Sequence, residues 1–355
     1  MAEIIEARTI AAAAWMRKLA LAAVLLGFIV VVLGAYVRLT AAGLGCPDWP
    51  GCYGHLSPLG AEQSLAAGVE LPGAPLDVTK AWHEMIHRYA ASSLVLIIVL
   101  LAALGIATRH ESAARSRHAV ALLGIVVVQA ALGMLTVTWQ LKPLIVTLHL
   151  IFGLTTLGLL WWLWLSLRAE QTQGSFAASA VPAPESSLRW ARWIALLALA
   201  CLIVQIALGG WTSSNYAAIA CPDFPTCQGS WWPAMDYRDA FVLWRAPHIS
   251  NPARMAIHFT HRLGALVTAC ALLAAALTCL LGRALRSSHA ARLAAVAVLI
   301  ALAAQLSIGI SMVLRGFPLW LATAHNAGAA LTLLATLALV HGLRPGPLRL
   351  RPPSR

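Results

Sequence analysis

Eight runs of mostly apolar residues succeed one another along the 355-residue chain, at approximately 19–37, 82–104, 119–138, 144–167, 190–210, 255–281, 293–313 and 319–341. Between them gather Arg, Pro, Gly, Ser and Asp. A run of about 20 residues, rising 1.5 Å per residue as a helix, spans the roughly 30 Å hydrocarbon core of a bilayer. Each run must be helical, because an open strand edge in lipid leaves backbone amides unpaired. The expectation is an all-α integral membrane protein with eight transmembrane helices. The first run reads as a span and not as a signal peptide, since it is too long and GAYVRLTAAGLGC after it lacks a small-x-small cleavage pattern. Glu3 and Glu6 likewise argue against a transit peptide.

The pattern repeats. CPDWPGC at 46–52 returns as CPDFPTC at 221–227, EMIHR at 84–88 as HFTHR at 258–262, and His149 as His325. The offsets are 175, 174 and 176 residues. The polar, Ala/Ser/Pro-rich stretch 168–188 reads as a cytoplasmic linker. It divides a four-helix half at 1–167 from a second at 189–343, with a basic tail at 344–355. An even number of spans per half makes the repeat parallel, two four-helix bundles related by a pseudo-twofold axis normal to the membrane. Gln129, Gln205 and Gln305 recur on the odd-numbered spans, with Gly34, Gly133, Gly209 and Gly309, which are expected to permit close helix contact.

Composition and charge narrow the class. At 60% hydrophobic and 11% charged, the chain is no ordinary soluble domain. Its net charge of +12 invites a nucleic-acid reading. The distribution refutes it: with the N-terminus inside, 16 Lys and Arg fall in inner segments and seven in outer ones, the positive-inside bias. Both termini are then cytoplasmic, and no nucleic-acid partner is expected. Cys46, Cys52, Cys221 and Cys227 fall in long outer loops, roughly 38–81 and 211–254, on an oxidising face where disulfides persist. Five intervening residues flanked by prolines suit a closed loop, either a structural staple or a redox pair. Short amphipathic or irregular caps are expected in the same loops. Cys201, Cys270 and Cys279 lie in spans and read as small apolar packing residues.

The histidines carry the chemistry. His87 and His149 sit about 8–9 Å below the outer starts of the second and fourth spans, by the helical rise. His261 and His325 do the same in the second half. Two imidazoles at matched depth on neighbouring helices are what a bis-histidine haem site needs, with Arg88 and Arg262 beside them for the propionates. Glu84 is the acid placed inside a span, three residues before His87 and on its face. Its counterpart is His258. A carboxylate at one site and an imidazole at the other imply different work: a group to take a proton or stabilise a cationic intermediate in the first half, plain electron transfer in the second.

Taken together, GAYVRLTAAGLGCPDWPGC, EMIHR, the helix-four histidine and their second-half partners resemble haem A synthase, an eight-helix membrane enzyme of the bacterial cell (inner) membrane. The likeness runs from about 19 to 341. It implies oxidation of the C8 methyl group of haem O to the formyl group of haem A, for haem-copper terminal oxidases. His87 and His149 would hold the substrate haem with Glu84 catalytic, and His261 and His325 would ligate haem b. Cys46–Cys52 and Cys221–Cys227 match cysteine pairs of some branches, expected here as disulfides that shape the caps. A membrane electron acceptor such as a quinone, and haem O synthase or terminal oxidase assembly proteins, are the partners it implies. Two rival readings stand beside it: a di-haem b-type quinol cytochrome, and a membrane thiol oxidase using the outer cysteines.

Overall fold

The computed structural model describes residues 2–71, 73, 75–109, 113–176, 185–244, 249–285 and 288–344. The centre of the expected linker, 177–184, the basic tail beyond Arg344, and Arg245 and Arg286 of the charge count lie outside the described residues. The described chain is helical: α1 (Ala2–Leu39), α2 (Pro58–Ala66), α3 (Val78–Ala107), α4 (Ala113–Thr138), α5 (Pro143–Phe176), α6 (Glu185–Ser214), α7 (Tyr237–Ala240), α8 (Asn251–Leu281), α9 (His289–Leu314) and α10 (Leu319–Gly342). All except α2 and α7 contain stretches long and apolar enough to cross a membrane, eight in total among the described residues.

The helices outrun the apolar segments. The polar turns 168–176 and 185–188, expected as linker, belong to α5 and α6. Glu, Gln, Arg and Ala in those turns are good helix formers, and an established helix propagates at little cost. Local chemistry sets the helix starts. Asp77 accepts the amide of Lys80 at 3.1 Å before α3, and Ser250 accepts that of Ala253 at 3.3 Å before α8. Pro143 and Pro318 stand at the starts of α5 and α10, where a missing N–H removes no helical bond.

Helices α1, α3, α4 and α5 share one buried cluster that includes Met16, Ile98, Leu122 and Leu157. Helices α6, α8, α9 and α10 share another, in which Ala191, Ala195, Ala275, Ala276, Ala291 and Ala295 let backbones approach closely. Where lipid is as apolar as the core, such close packing is what holds helices together. Contacts between the two sets run through α1, α5, α6 and α10. Trp161 donates its indole N–H to the carbonyl of Leu334 at 2.9 Å, and Arg344 lies 3.8 Å over the Trp162 ring. At the opposite end, Arg38 donates to the carbonyls of Ser213 (2.9 Å) and Ser214 (3.4 Å) and stacks on Tyr216.

Candidate functional site

Two loops cap the helix ends, each closed by a disulfide, Cys46–Cys52 and Cys221–Cys227. Both loops fold alike for the same reasons. Asp48 accepts the amides of Tyr53 (2.6 Å) and Gly54 (2.9 Å), and Asp223 accepts those of Gln228 (2.6 Å) and Gly229 (2.9 Å). Gly54 and Gly229 both have positive φ, which glycine adopts without steric cost. The Thr226 hydroxyl also donates to Asp223, and together these donors hold its carboxyl well down, at about 2.

Beneath each loop an arginine gathers carbonyl oxygens. Arg88 donates to Asp48 (2.9 Å), Pro50 (3.3 Å) and Gly51, and Arg262 to Thr226 (2.7 Å), Asp223 (2.7 Å) and Cys221 (3.0 Å). Both guanidiniums were expected to face propionates. The structure engages both with the loops, because a planar fork of donors fits converging carbonyls, and Arg88 also lines the cavity between the histidines. Glu84 completes the first clamp. Its carboxylate accepts from Arg88 at 2.5 Å and from the Cys46 amide at 2.9 Å. In the second, His258 Nε2 accepts from Arg262 Nε at 3.3 Å. The substitution of an acid by an imidazole thus sits inside two otherwise matching clamps.

His87 and His261 directly precede the clamp arginines on α3 and α8, and His149 and His325 stand on α5 and α10. His87 and His149 both line a cavity of about 310 Å³, together with Glu84, Arg88, Arg38 and Gln129. Its walls are otherwise mostly apolar or glycine, including Gly27, Val30, Gly34, Gly133 and Gly153. His87 and His149 lie within electrostatic reach of one another, as do His261 and His325. Nδ1 of His87, His149 and His325 is buried with no hydrogen-bond partner. An imidazole nitrogen buried in this way is a costly group that a ligand or acceptor would satisfy. The pairing, the apolar walls and the orphaned nitrogens fit a flat, largely apolar macrocycle whose metal takes two imidazoles.

Sequence reasoning assigned the glycines on the odd-numbered spans to helix–helix approach, and their position corrects that. Each stands beneath a histidine ring. A Cβ would lie 3.0 Å from Cε1 of His87 at Gly34, 3.2 Å from that of His149 at Gly133, 3.2 Å from that of His261 at Gly209, and 2.9 Å from that of His325 at Gly309. The signal was present as a glycine repeating in step with the histidines. Arg38 was counted as an outer charge and nothing more, yet it reaches the cavity wall. The four loop cysteines are fully buried, at 0% exposure, and Cys279 is buried within the second helix cluster.

These features define a multi-helix membrane protein with two capped histidine pairs. Comparison with known proteins places it more narrowly. The family model described as Cytochrome oxidase assembly protein (COX15-CtaA) matches residues 17–337, and the chain belongs to that family. It is similar to the Heme A synthase of Shewanella oneidensis, 38% identical over 333 residues covering 92% of this chain and 94% of the relative. It is also similar to those of Methylobacterium radiotolerans and Paracoccus denitrificans, each 30% identical, with 88% of this chain and 84% of each relative covered.

Proposed function

We propose that this protein is an oxidoreductase converting haem O to haem A, in which one half performs the chemistry and the other carries electrons. The observation that carries the reading is the capped histidine pair repeated with a single chemical exchange, Glu84 for His258, in a chain alike over nearly its full length to proteins named Heme A synthase. The two halves, 1–167 and 189–343, are taken as parallel four-helix bundles about a pseudo-twofold axis along the membrane normal. Matching backbone oddities support this. Ala41 and Tyr216 both have positive φ at an offset of 175, and Leu141 and Phe317 at an offset of 176. The loops face outward and both termini inward, in accord with the positive-inside bias.

In the first half, His87 and His149 bind the substrate haem in the mostly apolar cavity. Glu84, on the same helix face as His87, accepts a proton as the C8 methyl is oxidised to the formyl group, with water supplying the oxygen and four electrons and four protons leaving in all, the electrons toward the quinone. Arg88 holds the carboxylate in place. In the second half, His261 and His325 fit haem b, which supplies one-electron transfer when bound. Arg262 fixes the cap above it. A quinone is the proposed electron acceptor, and haem O synthase or the assembly proteins of haem-copper oxidases are the proposed neighbours.

The difference at Glu84 speaks against a di-haem quinol cytochrome with equivalent sites. Four fully buried, bonded cysteines under arginine clamps speak for staples and against a thiol relay. The direct test is extraction and identification of pigment from cells that make haem O, with and without this protein. Haem A is expected only with it; its absence in both would overturn the assignment.

A further inference from the structure

Three of the four histidines meet a carboxamide from the helix that precedes them, and one does not. Gln129 Nε2 stands 3.4 Å from Nε2 of His149, Gln205 Nε2 3.0 Å from Nδ1 of His261, and Gln305 Nε2 3.3 Å from Nε2 of His325. Each glutamine lies four residues before the glycine beneath the same ring. The histidine helices have glycines to match. A Cβ on Gly153 would stand 3.1 Å from Gln129 Nε2, and one on Gly264 or Gly328 would collide with Oε1 of Gln205 or Gln305.

His87 has the glycine beneath it, Gly34, but not the amide. Four residues before Gly34 stands Val30, and the positions after His87 that correspond to those glycines hold Ala90 and Ala91. The helix pair is built for a histidine with no carboxamide beside it. This is the one imidazole of the four so arranged, and it lies in the half that carries Glu84.

The unsatisfied atoms show what the amide is for. Oε1 of Gln129, Gln205 and Gln305 is buried with no partner, and so is Nδ1 of His149 and of His325. The amides meet Nε2 of His149 and His325 and Nδ1 of His261, so in each ring one nitrogen faces the carboxamide and the other does not. A ligating imidazole ordinarily donates its second N–H to such an acceptor, which fixes the ring and strengthens it as a ligand. The backbone carbonyls of Val30 and Gln129 reach His87 and His149 alike, and only glutamine adds an acceptor on its side chain.

We propose that Gln129, Gln205 and Gln305 are positioning residues that hold His149, His261 and His325 in haem-ligating orientation, and that His87, facing Val30, is the exchangeable ligand of the substrate haem. This rests on the haem assignments above. A resident haem gripped through both histidines stays. A substrate that must arrive as haem O and leave as haem A is gripped through one and released through the other.

The test uses the purified full-length protein. Gln205→Met and Gln305→Met keep the side-chain volume and remove the amide. Each is expected to speed the loss of haem b to excess apomyoglobin by roughly 10- to 100-fold, the usual scale for removing a partner of a metal-bound histidine. Each is also expected to shift the low-spin electron paramagnetic resonance signal of the haem that remains, which a merely structural role would not do. Gly328→Ala, which displaces Gln305 without changing it, should reproduce the Gln305→Met result. Unchanged retention and an unchanged signal in these variants would overturn the positioning role. For His87, the probe is carbon monoxide added to reduced protein loaded with haem O. The adduct spectrum should survive His87→Ala and change in His149→Ala. The reverse pattern, or a wild-type protein inert to carbon monoxide, would overturn the assignment of His87. Haem A formation by the wild type in the same preparations separates these failures from failure of the functional reading.

Discussion

Arg88 grips Glu84 from one turn along the same helix, with its Nη2 2.5 Å from the carboxylate, while its other terminal nitrogen collects carbonyls of the disulfide loop. The acid proposed for proton transfer is therefore also a structural link between helix α3 and the cap. Glu84→Ala is expected to abolish haem A formation while haem b is retained. It also leaves a largely buried guanidinium unpaired, a change that costs about 3–5 kcal/mol when a buried pair is broken. Pigment analysis and thermal unfolding in detergent separate the two effects. Glu84→Gln keeps a single acceptor oxygen, enough for Cys46 or Arg88 but not both, and should recover part of the stability and none of the activity.

The halves are expected to lose different pigments. His261→Ala and His325→Ala should each remove tightly held haem b, whereas His87→Ala and His149→Ala should leave it in place. A low-spin haem b spectrum that persists in the first two and vanishes in the second two would reverse the assignment of the halves.

Gly309 offers a finer probe than the histidine above it. A Cβ there would stand 2.9 Å from Cε1 of His325, so Gly309→Ala must turn or lift the ring. Haem b content should fall sharply while the helix, which alanine favours over glycine by about 1 kcal/mol, remains formed. Circular dichroism and pyridine-haemochrome analysis of one preparation check both halves of this statement.

Much of this arrangement could be read from the chain. The spans, the offset of the repeat, the loop cysteines and the four histidines follow from apolar length and from residue types that are costly in lipid. What escaped is tertiary in origin. That Arg88 and Arg262 turn toward loop carbonyls depends on where those loops fold back, 36–41 residues away along the chain. The helical turns at 168–176 were not legible, because polarity marks the end of a membrane, not the end of a helix, and α5 runs on through Arg168–Phe176. The imidazole-facing glycines were visible as a pattern but ambiguous, since close packing of helices demands the same residue.

Removal of the first staple tests whether the cysteines are more than structural. Closing a loop of six or seven residues stabilises by about 2 kcal/mol in the chain-entropy account. Cys46→Ser with Cys52→Ser should lower the unfolding temperature and leave some haem A formation. Complete loss of activity in protein that remains folded would argue for a thiol step.

The second cap should weaken only in strong acid. The Asp223 carboxyl is held at about 2, below its ordinary 3.8, chiefly by the Thr226 hydroxyl and then by the Gly229 and Gln228 amides. A lowered carboxyl contributes stability that is fully present above the ordinary value and lost as pH falls from about 3.8 through about 2. Fluorescence of Trp231 and Trp232, just beyond the loop, should report loosening in that window. Asp223→Asn should flatten the transition.

Arg38 reaches the backbone of Ser213, the residue that an offset of 175 makes its own counterpart. With the halves related as proposed, an element touches its own copy only beside their axis. In a pair of identical subunits both positions would carry arginine, and two guanidiniums would be brought close together. Joining the copies in one chain lifts that conflict, because one side can keep the charge while the other recedes to serine. Fusion thus opens a route for specialisation at the seam itself, and a split protein rebuilt from two copies of its first half should meet its obstacle there.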